Sequence, residues 1–239
     1  MWKINKSLFV YVLVGVITAF SVTCLLSSCG KSTTLPAGSN VLYQVVNLSP
    51  DLLPVNLYID NSKKNSTPYY YPTPSGYFAV TSVDTPYQIR SASTLVSSTN
   101  ILSLNNLLKN NVRYTLFITG FLADKSITSI FTTDTAAVPS AGRGKVRFVN
   151  ASAGSGGLDI TANGTYAFSN QTYKNVSKYI ELPAGNYDFK IYPTGVTSTV
   201  YSDLPSITIK DGKLYTLYCR GVVGRVDSAA FGSAVINNN

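Results

Sequence analysis

Hydrophobic positions fall into two regimes along this chain. Residues 8–26 are an almost continuous apolar stretch, long enough to span a bilayer at about 1.5 Å per residue in a helix. Beyond residue 40 the apolar positions come instead in short runs rich in β-branched and aromatic side chains, bounded by Gly, Pro, Asn and Asp. Leu57-Tyr58-Ile59, Tyr87-Gln88-Ile89-Arg90, residues 114–119, Ile207-Thr208-Ile209 and residues 215–220 read as strands, and Lys145-Val146-Arg147-Phe148-Val149 alternates as a half-buried strand does. The only segment that could pass for a helix is 101–108, which reads better as a strand leading into a turn.

The strand pattern occurs twice. Val45-Val46-Asn47-Leu48-Ser49 returns as Phe148-Val149-Asn150-Ala151-Ser152, and Tyr77-Phe78-Ala79-Val80 returns as Tyr179-Ile180-Glu181-Leu182. Tyr87-Gln88-Ile89-Arg90 returns as Tyr187-Asp188-Phe189-Lys190, and residues 114–120 return as residues 215–221. A period of about 100 residues is too long for a solenoid unit and fits two successive domains. Six to eight short strands per copy, with turn signals every 8 to 12 residues, indicate a sandwich.

One spacing points to a Greek key. Leu108, Asn111 and Tyr114 are separated by the same steps as Ile209, Gly212 and Tyr215: an apolar residue, one that tolerates positive φ, then a tyrosine. This is the spacing of a tyrosine corner, whose hydroxyl bonds back to the connection entering its strand, so Tyr114 and Tyr215 are expected to be structural. The predicted fold is all-β: two tandem immunoglobulin-like antiparallel β-sandwiches, residues 41–133 and 145–239, behind an N-terminal signal helix. Residues 134–144, rich in Ala and Gly, are expected to link them with few contacts.

Lys3 and Lys6 precede the apolar stretch, and Leu26-Ser27-Ser28-Cys29 closes it. This resembles the signal peptide and cleavage box of a bacterial lipoprotein, with residues 1–28 removed, lipid on Cys29 and residues 29–40 as a flexible tether. Two or more acyl chains, at about 0.8 kcal/mol per buried methylene, hold a protein stably on a membrane. A plain transmembrane anchor is the alternative; the small residues before Cys29 and the lack of a following cationic cluster argue against it. The expected location is the cell envelope, lipid-anchored at the outer membrane of a Gram-negative bacterium, on its periplasmic or surface face.

Composition excludes much chemistry. The chain carries no histidine and a formal charge of +8, and its single Met and single Trp lie in the first two residues. Without histidine there is no usual general base near neutral pH and no Ser-His or Cys-His nucleophile. Glu181 is the only glutamate and the aspartates are dispersed, so no metal and no cofactor is expected. The cations are scattered, so nucleic acid is not an expected partner. Cys219 is left without a disulfide partner once Cys24 and Cys29 are assigned to the signal and the lipid, and it reads as a small buried residue on a strand.

Val-Val-Asn-Leu-Ser-Pro-Asp at residues 45–51, followed by Val55-Asn56-Leu57-Tyr58-Ile59-Asp60, resembles the opening of the DUF4397 domain, as do Leu182-Pro183-Ala184-Gly185-Asn186-Tyr187 and Asp211-Gly212-Lys213-Leu214-Tyr215. The likeness spans both copies. Only the first keeps the Ser-Pro-Asp turn, and only the second keeps the Pro-Ala-Gly hairpin. The resemblance implies an exported or lipid-anchored bacterial protein of immunoglobulin-like sandwiches with no assigned catalytic residues.

The most suggestive cluster is Tyr69-Tyr70-Tyr71-Pro72. Consecutive strand residues face opposite ways, so at least one ring is expected outside, able to stack on sugar or anchor a protein contact. The bland reading is edge packing or a contact between the domains. Asp134-Thr135-Ala136 and Asp227-Ser228-Ala229 resemble a short O-glycosylation acceptor of some Gram-negative bacteria, making Thr135 and Ser228 candidates. Gly154-Ser155-Gly156-Gly157 has no following helix and reads as a flexible turn. The expected function is non-catalytic binding, adhesion or spacing, towards glycans or an envelope partner protein. A pilus-type subunit donating a strand, or a glycan-active hydrolase built on an aspartate pair, are the alternatives.

Overall fold

The computed structural model describes residues 41–81, 85–92 and 99–239; the expected signal segment, Cys29 and the expected tether lie outside them. The first copy contains β1 (Val41–Asn47), β2 (Val55–Ile59), β3 (Ser62–Lys63), β4 (Phe78–Val80), β5 (Tyr87–Ser91), β6 (Asn100–Leu104), β7 (Arg113–Thr119) and β8 (Thr128–Thr133). The second repeats the series as β9 (Arg143–Asn150), β10 (Leu158–Ala162), β11 (Thr165–Gln171), β12 (Ile180–Pro183), β13 (Gly185–Pro193), β14 (Ser202–Ile209), β15 (Leu214–Arg220) and β16 (Gly232–Asn237). Among the described residues no helix occurs.

Each copy is a sandwich of two four-stranded sheets with the same order, β4-β1-β7-β8 over β3-β2-β5-β6 and β12-β9-β15-β16 over β11-β10-β13-β14. Most pairs are antiparallel, but β1 runs parallel to β7 and β9 to β15. A parallel pair needs a crossover rather than a hairpin, and the intervening strands supply it by building the outer sheet. The segment read as strand then turn is β6, followed by a turn at residues 110–111.

Within the first sandwich the core joins Tyr43, Val45, Leu57, Ile59, Tyr87, Ile89, Leu116 and Ile118 from both sheets. In the second, Val146, Phe148, Leu158, Ile160, Phe189, Ile191, Leu217 and Cys219 do the same. A third cluster joins the copies: Val46, Leu48, Phe117 and Ile130 pack against Val149, Ala151, Tyr218 and Ile236. The sheets that contain β1 and β9 are therefore covered on both faces. This is why β9 is buried at consecutive positions from Val146 to Asn150, where alternation in the sequence suggests one wet face.

Asp134, the first residue of the segment expected to make few contacts, is fully buried in this junction. At the ends of β7 and β15, Gly120 and Gly221 have φ of 87° and 72°. A Cβ there would collide with the carbonyls of Ser126 and Ala230, which explains why the repeated motif ends in glycine in both copies.

Tyr114 Oη accepts the Lys109 N–H at 3.0 Å and Tyr215 Oη accepts the Lys210 N–H at 3.1 Å, with Asn111 and Gly212 between them at φ of 61° and 71°. Tyr114 also stacks on Phe131, centroids 5.2 Å apart. Tyr114→Ala should lower the unfolding free energy by about 3 kcal/mol or more, and Tyr114→Phe by only about 1 kcal/mol. Urea unfolding checks both, and an unchanged midpoint for the alanine variant would refute the packing role.

Candidate functional site

At the junction of the copies lies a buried ion pair. Arg147, on β9 of the second copy, is 3% exposed, and Asp134, just after β8 of the first, is 0% exposed. The Arg147 guanidinium donates to Thr216 Oγ1 (2.9 Å), to the Thr133 carbonyl (2.7 Å), to Thr132 Oγ1 (3.0 Å) and to Asp134 Oδ1. Asp134 accepts in addition from Thr132 Oγ1 (2.8 Å), Thr115 Oγ1 (2.6 Å) and Tyr77 Oη (2.7 Å). The Tyr179 ring lies 4.9 Å below the guanidinium. Burial, with the Asp134 charge adding to it and neighbouring hydrogen bonds only partly opposing, raises the Tyr77 phenol well above its ordinary value. Such a pair is tolerable out of water only because nearly every donor and lone pair is engaged.

The sequence-predicted tyrosines are parted by the structure. Tyr69 exchanges two backbone bonds with Val55 and stacks on Phe78 at the margin of the first core, where burial pushes its phenol up to about 12. Tyr71 turns to the other copy: its hydroxyl accepts from Arg220 Nη1 at 2.8 Å, with the guanidinium 5.3 Å from its ring. Tyr70 points outward, 53% exposed. It lines a groove of about 320 Å³ with Pro68, Tyr69, Thr73, Pro74 and Ser75.

A larger cleft of about 610 Å³ opens where loops of both copies meet. Pro50, Asp51, Phe121 and Ala123 come from the first copy, Val222 and Ala229 from the second. Asp51 shapes it: its carboxylate accepts the N–H groups of Leu122 (2.8 Å) and Ala123 (2.9 Å) and the Ser49 hydroxyl (3.1 Å). Partial burial pushes its pKa up, but these donors outweigh burial and hold it below its ordinary 3.8. Of the candidate acceptor residues, Ser228 is exposed at this cleft, and Thr135 is exposed beside the junction, its Oγ1 accepting the Arg113 N–H at 2.8 Å.

A family model described as a domain of unknown function, DUF4397, matches residues 42–161 and 144–239. The chain belongs to the DUF4397 family. The two overlapping matches accord with the two sandwiches. No curated protein matches it. Among solved structures, a leucine-rich repeat protein from Bacteroides thetaiotaomicron is similar over 77% of this chain and 26% of that one, at 14% identity and a TM-score of 0.19. The chain thus spans about a quarter of that protein's length.

Between the two DUF4397 copies the junction residues differ. Strand register sets Arg147 opposite Thr216 where Gln44 stands opposite Thr115, and Asp134 follows β8 where Asn238 follows β16. Sequence reasoning passed over this pair because the partners are remote in role: one sits in a strand, the other in an apparent linker. The composite cleft was missed for the same reason, the only signal being the Ser-Pro-Asp turn. Cys219 is 0% exposed, and burial pushes its thiol up to about 12, so it stays protonated and inert. Among the described residues no group of three His, Cys, Asp or Glu side chains is placed to hold a metal.

Arg147→Ala should cost about 3–5 kcal/mol in urea unfolding, because Asp134 is left buried and unpaired, whereas Arg147→Met combined with Asp134→Leu should cost far less. Equal losses would reject the pair as the cause. Asp51→Asn should lower Tm by roughly 2 °C at pH 7, solvent screening keeping the effect small. Because the folded pKa is depressed, that contribution is present above the ordinary value and disappears as pH falls through the folded one, so the Tm difference should close in acid, below the ordinary carboxylate range. A gap independent of pH would show that the charge is not its source.

Proposed function

We propose that this DUF4397 protein is a lipid-anchored cell-envelope protein, held at the outer membrane through Cys29, with a non-catalytic binding, adhesion or spacer role. The observation that carries the reading is directional. The loops after β1, β7 and β15 gather at the 610 Å³ cleft, so the chain enters β1 at Val41 from the opposite end of the junction. Pro74 bridges to Val46, near the end of β1, so the tyrosine groove also lies towards the cleft. Attachment through the segment before β1 would therefore leave both concavities unobstructed. Two copies sealed by a third core and a buried ion pair suit a spacer or presenting stalk.

Catalysis is poorly supported by the chemistry at the cleft. Asp51 and Asp124 both line it, but Asp51 is taken up by the Leu122 and Ala123 N–H groups and the Ser49 hydroxyl, and Asp124 accepts the Ser126 N–H at 2.9 Å, so both carboxylates are spent on holding loops. Strand donation of the pilus type needs an open sheet position. Among the described residues both copies have eight strands, and β16 pairs with β15 over six positions while burying Ile236. Radioactive fatty acid should label the wild-type protein, and Cys29→Ala should abolish both label and membrane fractionation. Retention of both would overturn the anchoring. Protease shaving of intact cells then distinguishes the surface face from the periplasmic one.

A further inference from the structure

Duplication supplies an internal control for the tyrosine loop. Bridges of Pro74 to Val46 and of Val176 to Val149, and matching bonds from Ser75 N to the Val45 carbonyl and from Ser177 N to the Phe148 carbonyl, align the two loops residue by residue. Tyr71 then corresponds to Tyr173, and the pair does equivalent work: Tyr71 Oη meets Arg220 across the junction, and Tyr173 Oη meets Thr119. The fold asks for a tyrosine there in both copies. Tyr69 and Tyr70 correspond instead to Gln171 and Thr172, so the same loop closes without aromatic rings at those two places. Tyr69 has a packing role against Phe78; Tyr70, half in solvent, has none that the second copy reproduces.

We propose that Tyr70 is the stacking platform of a binding subsite for a neutral saccharide ring, an inference that rests on the binding role proposed above and names its ligand class. The groove's lining residues, Thr67 with those already named, carry no charge at neutral pH, so neither an anionic glycan nor a charged peptide gains electrostatically there. Its volume of about 320 Å³ is at the small end of ligand sites. Exposed ring face together with hydroxyl side chains matches the apolar face and hydroxyl edge of a pyranose. Peptide capture by main-chain pairing is poorly served: the N–H groups of Tyr69, Thr73 and Ser75 already donate within the fold, and Pro68, Pro72 and Pro74 have none.

Affinity electrophoresis of the full chain in detergent, in gels containing mannan, dextran or laminarin, tests this, with polygalacturonate and a decaproline peptide as charged and peptide probes. At least one neutral polysaccharide should retard the wild type, and Tyr70→Thr, which installs the side chain of the second copy, should weaken it about tenfold. Tyr70→Phe should stay within about threefold and Thr172→Ala should change nothing; Tyr70→Ala serves if the threonine variant does not fold. No retardation by any neutral polymer, retardation that survives loss of the ring, or a Tyr70-dependent interaction with polygalacturonate or decaproline instead, overturns the proposal. Fatty-acid labelling of the same wild-type protein reads the anchoring separately, so a failed subsite with label intact leaves the envelope reading standing.

Discussion

Burying Arg147 against Asp134 binds two sandwiches, each with its own core, into a single compact unit. An arginine at this depth requires a full set of acceptors, and they come from both copies: Thr216 from its own, Thr132, Thr133 and Asp134 from the other. The apolar contacts alongside, with Phe117 and Tyr218 centred 5.6 Å apart, supply the driving force, and the ion pair supplies the register. Any slip of one sheet over the other would strand a charge away from water. Tyr71 with Arg220, and Tyr173 with Thr119, extend the same contact towards the loop end.

The junction uses equivalent faces but unlike chemistry. Where the second copy carries Arg147 the first carries Gln44, whose amide reaches only Thr115 at 3.3 Å, and where the first carries Asp134 the second carries Asn238, which accepts from Thr216 and donates to Tyr77. One buried charge of each sign across the interface makes the copies complementary rather than interchangeable. Two first copies would bring buried carboxylates without a cation, and two second copies the reverse. Charge thus encodes which copy belongs on which side.

What the junction fixes is also what places the loops. The turn at Asp51 is tied to the β7–β8 loop by two backbone N–H bonds, and Gly120 and Gly221 let both β-hairpins fold tightly beside it. The tyrosine groove lies in the long connection from β3 to β4, pinned to the sheets by bridges of Tyr69 to Val55 and Pro74 to Val46, which suits recognition by preformed shape. Where the first copy carries Tyr69 and Tyr70 the second carries Gln171 and Thr172, although the backbone path is shared.

The strands, their duplication and the all-β class were legible in the sequence because strand chemistry is local: β-branched and aromatic runs, turn residues and the repeated Tyr-Thr-Leu motif need no distant partner to be recognised. The expectation of an N-terminal export signal rests on the same kind of local pattern. The parallel pairing of β1 with β7, the double-sided burial of β9 and the junction itself came only from the tertiary structure. Asp134 reads as the first residue of an Ala- and Gly-rich linker until β9 brings Arg147 to it, and three adjacent tyrosines read alike until packing sends one to the core, one to the other copy and one to solvent. A side chain's type is written in the chain; the partner that gives it a role is chosen by which surfaces the folded sheets press together.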